Sequence, residues 1–418
     1  MQDNEKKPAL RFKGFTDPWE QRKLGDAFER VVRKNTNNES RLPLTISAQD
    51  GLVDQITYFN NRVASRDVSN YYLVYNGEFA YNKSTSDGYP FGAVKRLDWY
   101  EKGVLSTLYI VFALKHPEKD DSDFMTVFYD TDRWHRGVAE RAAEGARNHG
   151  LLNISADDFF DIDTTMPEDK AEQEKIGRLL KKLDTLITLH QRKYEKLVNI
   201  KKSMLDKMFP QNGASVPEIR FKGFTDPWEQ RKLGEICDFI TKGATPTTYG
   251  FSWQPDGVPF FRNDSIKDNV FVFGEFSYIS EAANEVLKRS EVHGNDILIA
   301  ITGDIGKVGI IPDTVEKANI NQHIARVRIR KEALPYFVYQ YLASDDTQKE
   351  YQKIKTGLSM PQLSLEQVRD IVVKIPEFNE QGKIADCLRR IDTLITLHQR
   401  KLEKLQNIKK SCLEKMFV

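Results

Sequence analysis

Apolar residues at Leu179, Leu183, Leu186, Leu197, Ile200 and Met204 step mainly by fours and threes, the spacing that lines one face of a helix. A second set, Ile176, Leu180, Leu183, Ile187, Tyr194 and Leu197, marks another face, and Leu189 points elsewhere again. A helix that is apolar on more than one side must be covered on more than one side. The same pattern returns at Leu388, Ile391, Leu394, Ile395, Leu405 and Ile408. Each helix is expected to follow a proline (Pro167, Pro376) and to open on acidic residues, which suit the positive end of the helix dipole. At 1.5 Å of rise per residue each would be on the order of 50 Å long.

Elsewhere the pattern shortens. YYLVYNGEFAYN (Tyr71 to Asn82), GVLSTLYIVFAL (Gly103 to Leu114), NDILIAITGDIGKVGII (Asn295 to Ile311) and IARVRIR (Ile324 to Arg330) are rich in β-branched and aromatic residues broken by Gly, Asn and Asp. They predict short strands. PYFVYQYLAS from Pro335 predicts a helix. GARNHGLLNIS (Gly145 to Ser155) and TGLSMPQLSLE (Thr356 to Glu366) predict polar loops at matching places before a closing strand. The fold class is therefore mixed α/β (α+β).

The order of these elements is written twice. RFKGFTDPWEQRKLG occupies Arg11 to Gly25 and again Arg220 to Gly234, and DTLITLHQRK occupies Asp184 to Lys193 and again Asp392 to Lys401. Ile176 to Phe209 and Ile384 to Phe417 match at most positions. Between these shared segments lie two bodies, roughly 26–170 and 235–375, that barely resemble one another. A constant frame around two variable inserts describes a device with two interchangeable readers. The expected domains are 1–169, a first variable domain carrying repeat 11–25, and 170–209, a first spacer helix. A turn-rich linker at 210–217 (PQNGASVP) follows. The rest is 218–375, a second variable domain carrying repeat 220–234, and 376–418, a second spacer helix. The duplication suggests a pseudo-twofold, nearly circular chain with antiparallel long helices and a variable domain at each end.

With 418 residues, 40% of them hydrophobic, the chain has ample material for packed cores. Cys237, Cys387 and Cys412 are too few and too scattered for a disulfide framework or a CxxC zinc site, and they suit a reducing cytoplasm. MQDNEKKPAL has no signal-peptide core, and the longest apolar runs are too short to span a bilayer. The expectation is a soluble, cytoplasmic protein without a membrane partner. A net charge of +1 conceals an uneven distribution. The helical repeats are rich in Lys and Arg, while the first body has acidic clusters at Glu118 to Asp123 and Asp157 to Asp163. A nucleic-acid binder of this composition would draw phosphate contacts from a basic partner.

Catalytic signatures are missing. GDIGKVG (Gly303 to Gly309) is too short for a phosphate loop and reads as a tight hairpin turn. Without a Pro-Pro dipeptide there is no amino-methyltransferase pocket, and Pro255-Asp256 lacks the ExK of a nuclease site. The seven histidines form no HxxxH or HExxH spacing, and no GxSxG nucleophile occurs. No catalytic residue and no metal site are expected, and the chain by itself is not expected to be an enzyme.

Duplicated long helices separating two variable bodies, with PxxxEQxKI-like helix starts and DTLITLHQRK within, resemble the specificity (S) subunit of type I restriction–modification systems. The resemblance covers the whole chain. It implies that each body is a target recognition domain reading one half of a bipartite, asymmetric site in double-stranded DNA. The coiled-coil helices would act as spacer and dock two methyltransferase (M) subunits, which bring S-adenosylmethionine. Two restriction (R) subunits would add ATP- and Mg-dependent translocation and cleavage, and the S chain itself would hold no cofactor. Two readers facing one side of the duplex should sit about one helical turn apart, roughly 34 Å. The runner-up reading is a coiled-coil structural adaptor with two protein-binding domains.

Base edges are read by hydrogen-bonding side chains, chiefly Arg, Lys, Asn, Gln, Ser and Thr. Loops rich in these types are the DNA-binding candidates. In the first body they are Asn82, Lys83, Ser84, Thr85 and Ser86, then Arg147, Asn148 and His149. In the second they are Lys242, Thr245 and Thr247, then Arg262, Asn263 and Asp264. Thr302, Asp304, Lys307, Ser359 and Gln362 complete the second set. Partner-binding candidates on the helices are Leu186, Ile187, Leu189, Leu394, Ile395 and Leu397.

Overall fold

A computed structural model describes residues 7–47, 50–142, 150–211, 213–274, 276–357 and 361–418. The chain forms two compact units, Met1–Gln191 with Arg400–Val418, and Arg192–Gln399.

The first unit is built on a four-stranded antiparallel sheet in the order Phe28–Arg30, Ile110–Leu114, Phe79–Asn82, Ala93–Arg96. Successive side chains on a strand point to opposite faces, and here both faces are buried. Phe79, Tyr81, Ile110 and Phe112 enter the main core, while Ala80 and Val111 enter a second cluster with Val31, Leu44 and Val74. The expected run from Gly103 to Leu114 is two strands, Lys102–Leu105 and Ile110–Leu114, separated by a turn at Ser106–Tyr109.

The second unit repeats the plan. Its sheet runs Cys237–Lys242, Ile324–Ile329, Ile297–Ala300, Val308–Ile310. Ile297, Ile299, Ala325 and Val327 fill one core, and Leu298 and Ile324 face another. The hairpin joining the last two strands contains Gly303 (φ +77°) and Gly306 (φ +82°), left-handed positions that glycine adopts without strain. GDIGKVG is thus a turn. The expected helix after Leu334 spans Pro335–Leu342.

The duplicated fifteen residues form the same device in each unit. Glu20–Lys23 pairs antiparallel with Asp163–Met166, and Glu229–Lys232 pairs with Val372–Ile375. Arg11 grips Glu172 through two hydrogen bonds of 2.6 and 2.7 Å, and Arg220 grips Glu380 through two of 2.7 Å. Both carboxylates are essentially buried, at 1% and 0% side-chain exposure. Gln173 donates to the Pro167 carbonyl and Gln381 to that of Pro376, fixing each helix start.

The long helices span Lys170–Met208 and Phe378–Met416. In the first unit Ile176, Leu180 and Leu183 share a core with Cys412, Met416 and Phe417. In the second Ile384, Ala385 and Leu388 share one with Met208 and Phe209. Trp19 meets Phe417 edge-on at 6.1 Å, and its repeat-equivalent Trp228 meets Phe209 at 6.0 Å. Each unit thus takes the start of one long helix and the end of the other into its own core. Cys237 and Cys412 are buried free thiols, and burial pushes the Cys237 thiol up to about 12. Among the described residues no helix is long and apolar enough to cross a membrane.

Candidate nucleic-acid interface

At one end of the second unit's sheet, four loops come together with the segment at Gln362. Their positions follow from strand direction. Lys242 and Ala300 end their strands where Ile324 and Val308 begin theirs. The loop at Gly243–Ala244 is tied to Ile320 and Ile324 by backbone bonds, and Asn321 N donates to the Phe261 carbonyl, which brings Arg262 and Asn263 alongside. Thr302 pairs with Gln362, Gly303 N donates to Pro361 O, and Leu363 N to Ile301 O.

Thr245, Asn263, Thr302 and Gln362 therefore belong to one rim. Side chains tie it further. Asn263 Nδ2 donates to Thr302 O at 3.0 Å, and Lys307 pairs with Asp304 at 2.7 Å. Thr245 Oγ1 donates to Gln322 Oε1 at 2.5 Å. Arg262 lies over the Trp253 ring at 4.8 Å and donates to Ser277 Oγ. Lys242, Thr247, Arg262, Asp264, Asp304 and Gln362 are exposed, with charges of both signs interleaved.

The first unit has the corresponding rim. Ser84 pairs with Leu151, Thr85 N donates to Gly150 O, and Leu152 N to Lys83 O. This pairing and its two bonds match those around Thr302 and Gln362. Asn82 ends its strand here, and Lys83 Nζ donates to Ile154 O. Tyr81 Oη donates to Phe91 O at 2.8 Å and anchors the far side of the loop carrying Ser84, Thr85 and Ser86. Phe91 in turn lies 5.0 Å from His135, whose burial holds its pKa below the ordinary histidine value against the opposing charge of Asp132. Arg147, Asn148, His149 and Ser359 lie outside the described residues.

Residue typing missed the turns that enter the sheet's second strand, Ser106–Tyr109 and Asn321–Ile324. Thr107, Leu108 and Gln322 are exposed and His323 is half-buried. The available signal was the two-residue polar step, Ser-Thr or Asn-Gln, before a strand-type run.

The helices present a second surface. Leu189 and its repeat-equivalent Leu397 are 44% and 43% exposed, and Ile200 and Ile408 are 37% and 40% exposed. Leu394 is also exposed, whereas Leu186, Ile187 and Ile395 are half-buried. Apolar surface is thus left open at the same place in each copy. Among the described residues no three His, Cys, Asp or Glu side chains gather to hold a metal.

Residues 225–407 match the family model described as the type I restriction modification DNA specificity domain. A Methanocaldococcus jannaschii protein, the type I restriction enzyme MjaVIII specificity subunit, is 24% identical over 74% of this chain and 72% of its own length. A second protein from that organism, assigned as the MjaX specificity subunit, is 24% identical over 94% of this chain and 91% of its own. A crystal structure of a type I restriction–modification S subunit from M. genitalium superposes with a TM-score of 0.64 at 15% identity, covering 99% of both chains.

Proposed function

We infer that this chain is a type I restriction–modification DNA specificity subunit whose two units divide the reading of one DNA target between them. The observation that carries this division is the pair of rims. Their backbone bonds correspond, Ser84 with Thr302 and Leu151 with Gln362, while their side chains differ. Two readers of one construction and unlike chemistry call for two unlike half-sites, so the target is bipartite and asymmetric. Rim residues of both charge signs suit hydrogen bonds to base edges better than bulk electrostatic attraction to phosphates.

The long helices set the distance between the half-sites, and the unread bases lie between. Leu189 with Leu397, and Ile200 with Ile408, form the docking positions for two copies of a methyltransferase subunit. Such a partner brings S-adenosylmethionine, and restriction subunits bring ATP and Mg. The chain contributes recognition and spacing and performs no bond chemistry of its own.

The test is a map of DNA methylation in the host with and without this gene. Loss of methylation at one asymmetric bipartite motif is the expected result and defines both half-sites together. An unchanged map alongside an intact methyltransferase partner overturns the reading in favour of a protein adaptor.

A further inference from the structure

The rims share one feature that the repeats do not announce. In both units the second strand of the sheet is entered through the same turn, closed by the same two bonds. In the first, Tyr109 N donates to Ser106 O at 3.1 Å and Leu108 N to Ser106 Oγ at 3.4 Å. In the second, Ile324 N donates to Asn321 O at 3.3 Å and His323 N to Asn321 Oδ1 at 3.2 Å. A short polar side chain that caps its own turn is the usual role of Ser and Asn at such a position. Ser106 therefore corresponds to Asn321, Thr107 to Gln322, and Leu108 to His323. The scaffold of the turn is held constant, and the two side chains at its tip are exchanged.

Those tip residues are poorly explained by folding. Leu108 is 62% exposed and belongs to none of the three core clusters of its unit. Gln322 is exposed yet held on both sides, by Thr245 Oγ1 at its Oε1 and by His323 Nε2, 3.1 Å from its Nε2. An exposed glutamine fixed in this way has lost its rotamer freedom before any ligand arrives, which lowers the cost of ordering it on binding. The middle of the rim is also where the turn sits. His323 O accepts from Ile301 N, next to the Thr302–Gln362 pair, and Ile110 pairs with Tyr81, next to Asn82.

We propose that this turn is the base-reading tip of each unit, Thr107 and Leu108 in the first and Gln322 and His323 in the second. It rests on the specificity reading of the preceding subsection. Gln322 has the donor–acceptor pair that matches the N6 and N7 edge of adenine in the major groove, and Leu108 suits the C5-methyl of thymine. The two half-sites then differ at the corresponding base position, one read by hydrogen bonds and the other by an apolar contact.

The experiment uses the full chain expressed with its methyltransferase partner in a host lacking adenine methylation, with the genome mapped for methylated motifs. In one variant Gln322→Thr and His323→Leu are combined, and in the other Thr107→Gln and Leu108→His. Each is expected to change the base requirement at one or two adjacent positions of a single half-site, leaving the other half-site and the spacer unaltered. Discrimination at that position should fall by roughly 5- to 150-fold. Gln322→Glu, an isosteric change, guards against misfolding of the exchanged turn and should move the preference from adenine toward cytosine. The proposal is overturned if the motif is unchanged in all variants, or if methylation falls uniformly with no shift in base preference while the complex stays assembled. A wild-type chain that directs no bipartite motif sinks the specificity reading itself, and the tip assignment with it.

Discussion

Asp184 Oδ1 lies 2.6 Å from Lys409 Nζ, and the same pair recurs as Asp392 and Lys201 at 2.8 Å. Asp184 and Asp392 are the first residues of the duplicated ten-residue segment, and both lysines belong to the duplicated IKK. Residues far apart in sequence thus close the same contact in each unit. The surroundings differ. Lys409 also reaches Asp130, itself paired with Lys95, whereas Asp392 accepts from Tyr336 Oη at 2.6 Å and Gln340 Nε2 at 2.9 Å.

That difference makes the two lysines unequal. Lys409→Ala leaves Asp130 and Asp184 short of a shared cation, while Lys201→Ala leaves Asp392 with two neutral donors. Lys409→Ala is expected to cost about 1.5–3 kcal/mol and Lys201→Ala clearly less. Chemical denaturation of the two variants checks the order, and equal losses would refute it.

The frame pairs should be the more sensitive. Arg220→Ala strands the Glu380 carboxylate in a buried site, and a loss of about 3–5 kcal/mol is expected. Arg11→Ala should do the same at Glu172. Replacing both partners, Arg220→Met with Glu380→Met, should recover most of the loss, because no uncompensated charge remains. A double variant as unstable as the single one would contradict this account.

His135 gives the first unit a pH dependence near neutrality. Burial lowers its pKa in the folded state, so the unfolded chain takes up the proton first as pH falls. The associated stability is present above the ordinary histidine value near 6.5 and is lost as pH falls through the lower folded value. Thermal midpoints should decline from pH 7 toward pH 5, and His135→Phe, which keeps the ring beside Phe91, should flatten that decline. An identical slope in the variant would rule out His135 as its source.

The exposed leucines predict stepwise loss of partners. Leu189→Lys or Leu397→Lys alone should leave the chain's melting temperature nearly unchanged and remove one of two bound methyltransferase subunits. The double variant should remove both. Native mass spectrometry counts the copies, and full retention in the double variant would place the docking surface elsewhere.

Much of this molecule could be read directly. Periodicity located both long helices and five of the eight strands of the two four-stranded sheets, because their apolar faces are buried and repeat at 3.6 or 2 residues. The verbatim repeats announced two equivalent units. The spare apolar faces are partly explained by Ile176, Leu180 and Leu183, which join Phe417 and Met416 in a core that local pattern could not name. The three-dimensional structure supplied what depends on distant partners. A lone arginine in RFKGF carries no sign that it will meet Glu172, and Ser106 and Asn321 look like ordinary loop residues until their turns are compared. Rim residues such as Asn263 and Gln362 were chosen by side-chain type, but only strand direction brought them to one edge. Local spacing fixes which face of an element is apolar, whereas the choice of what meets that face is made by packing across the chain.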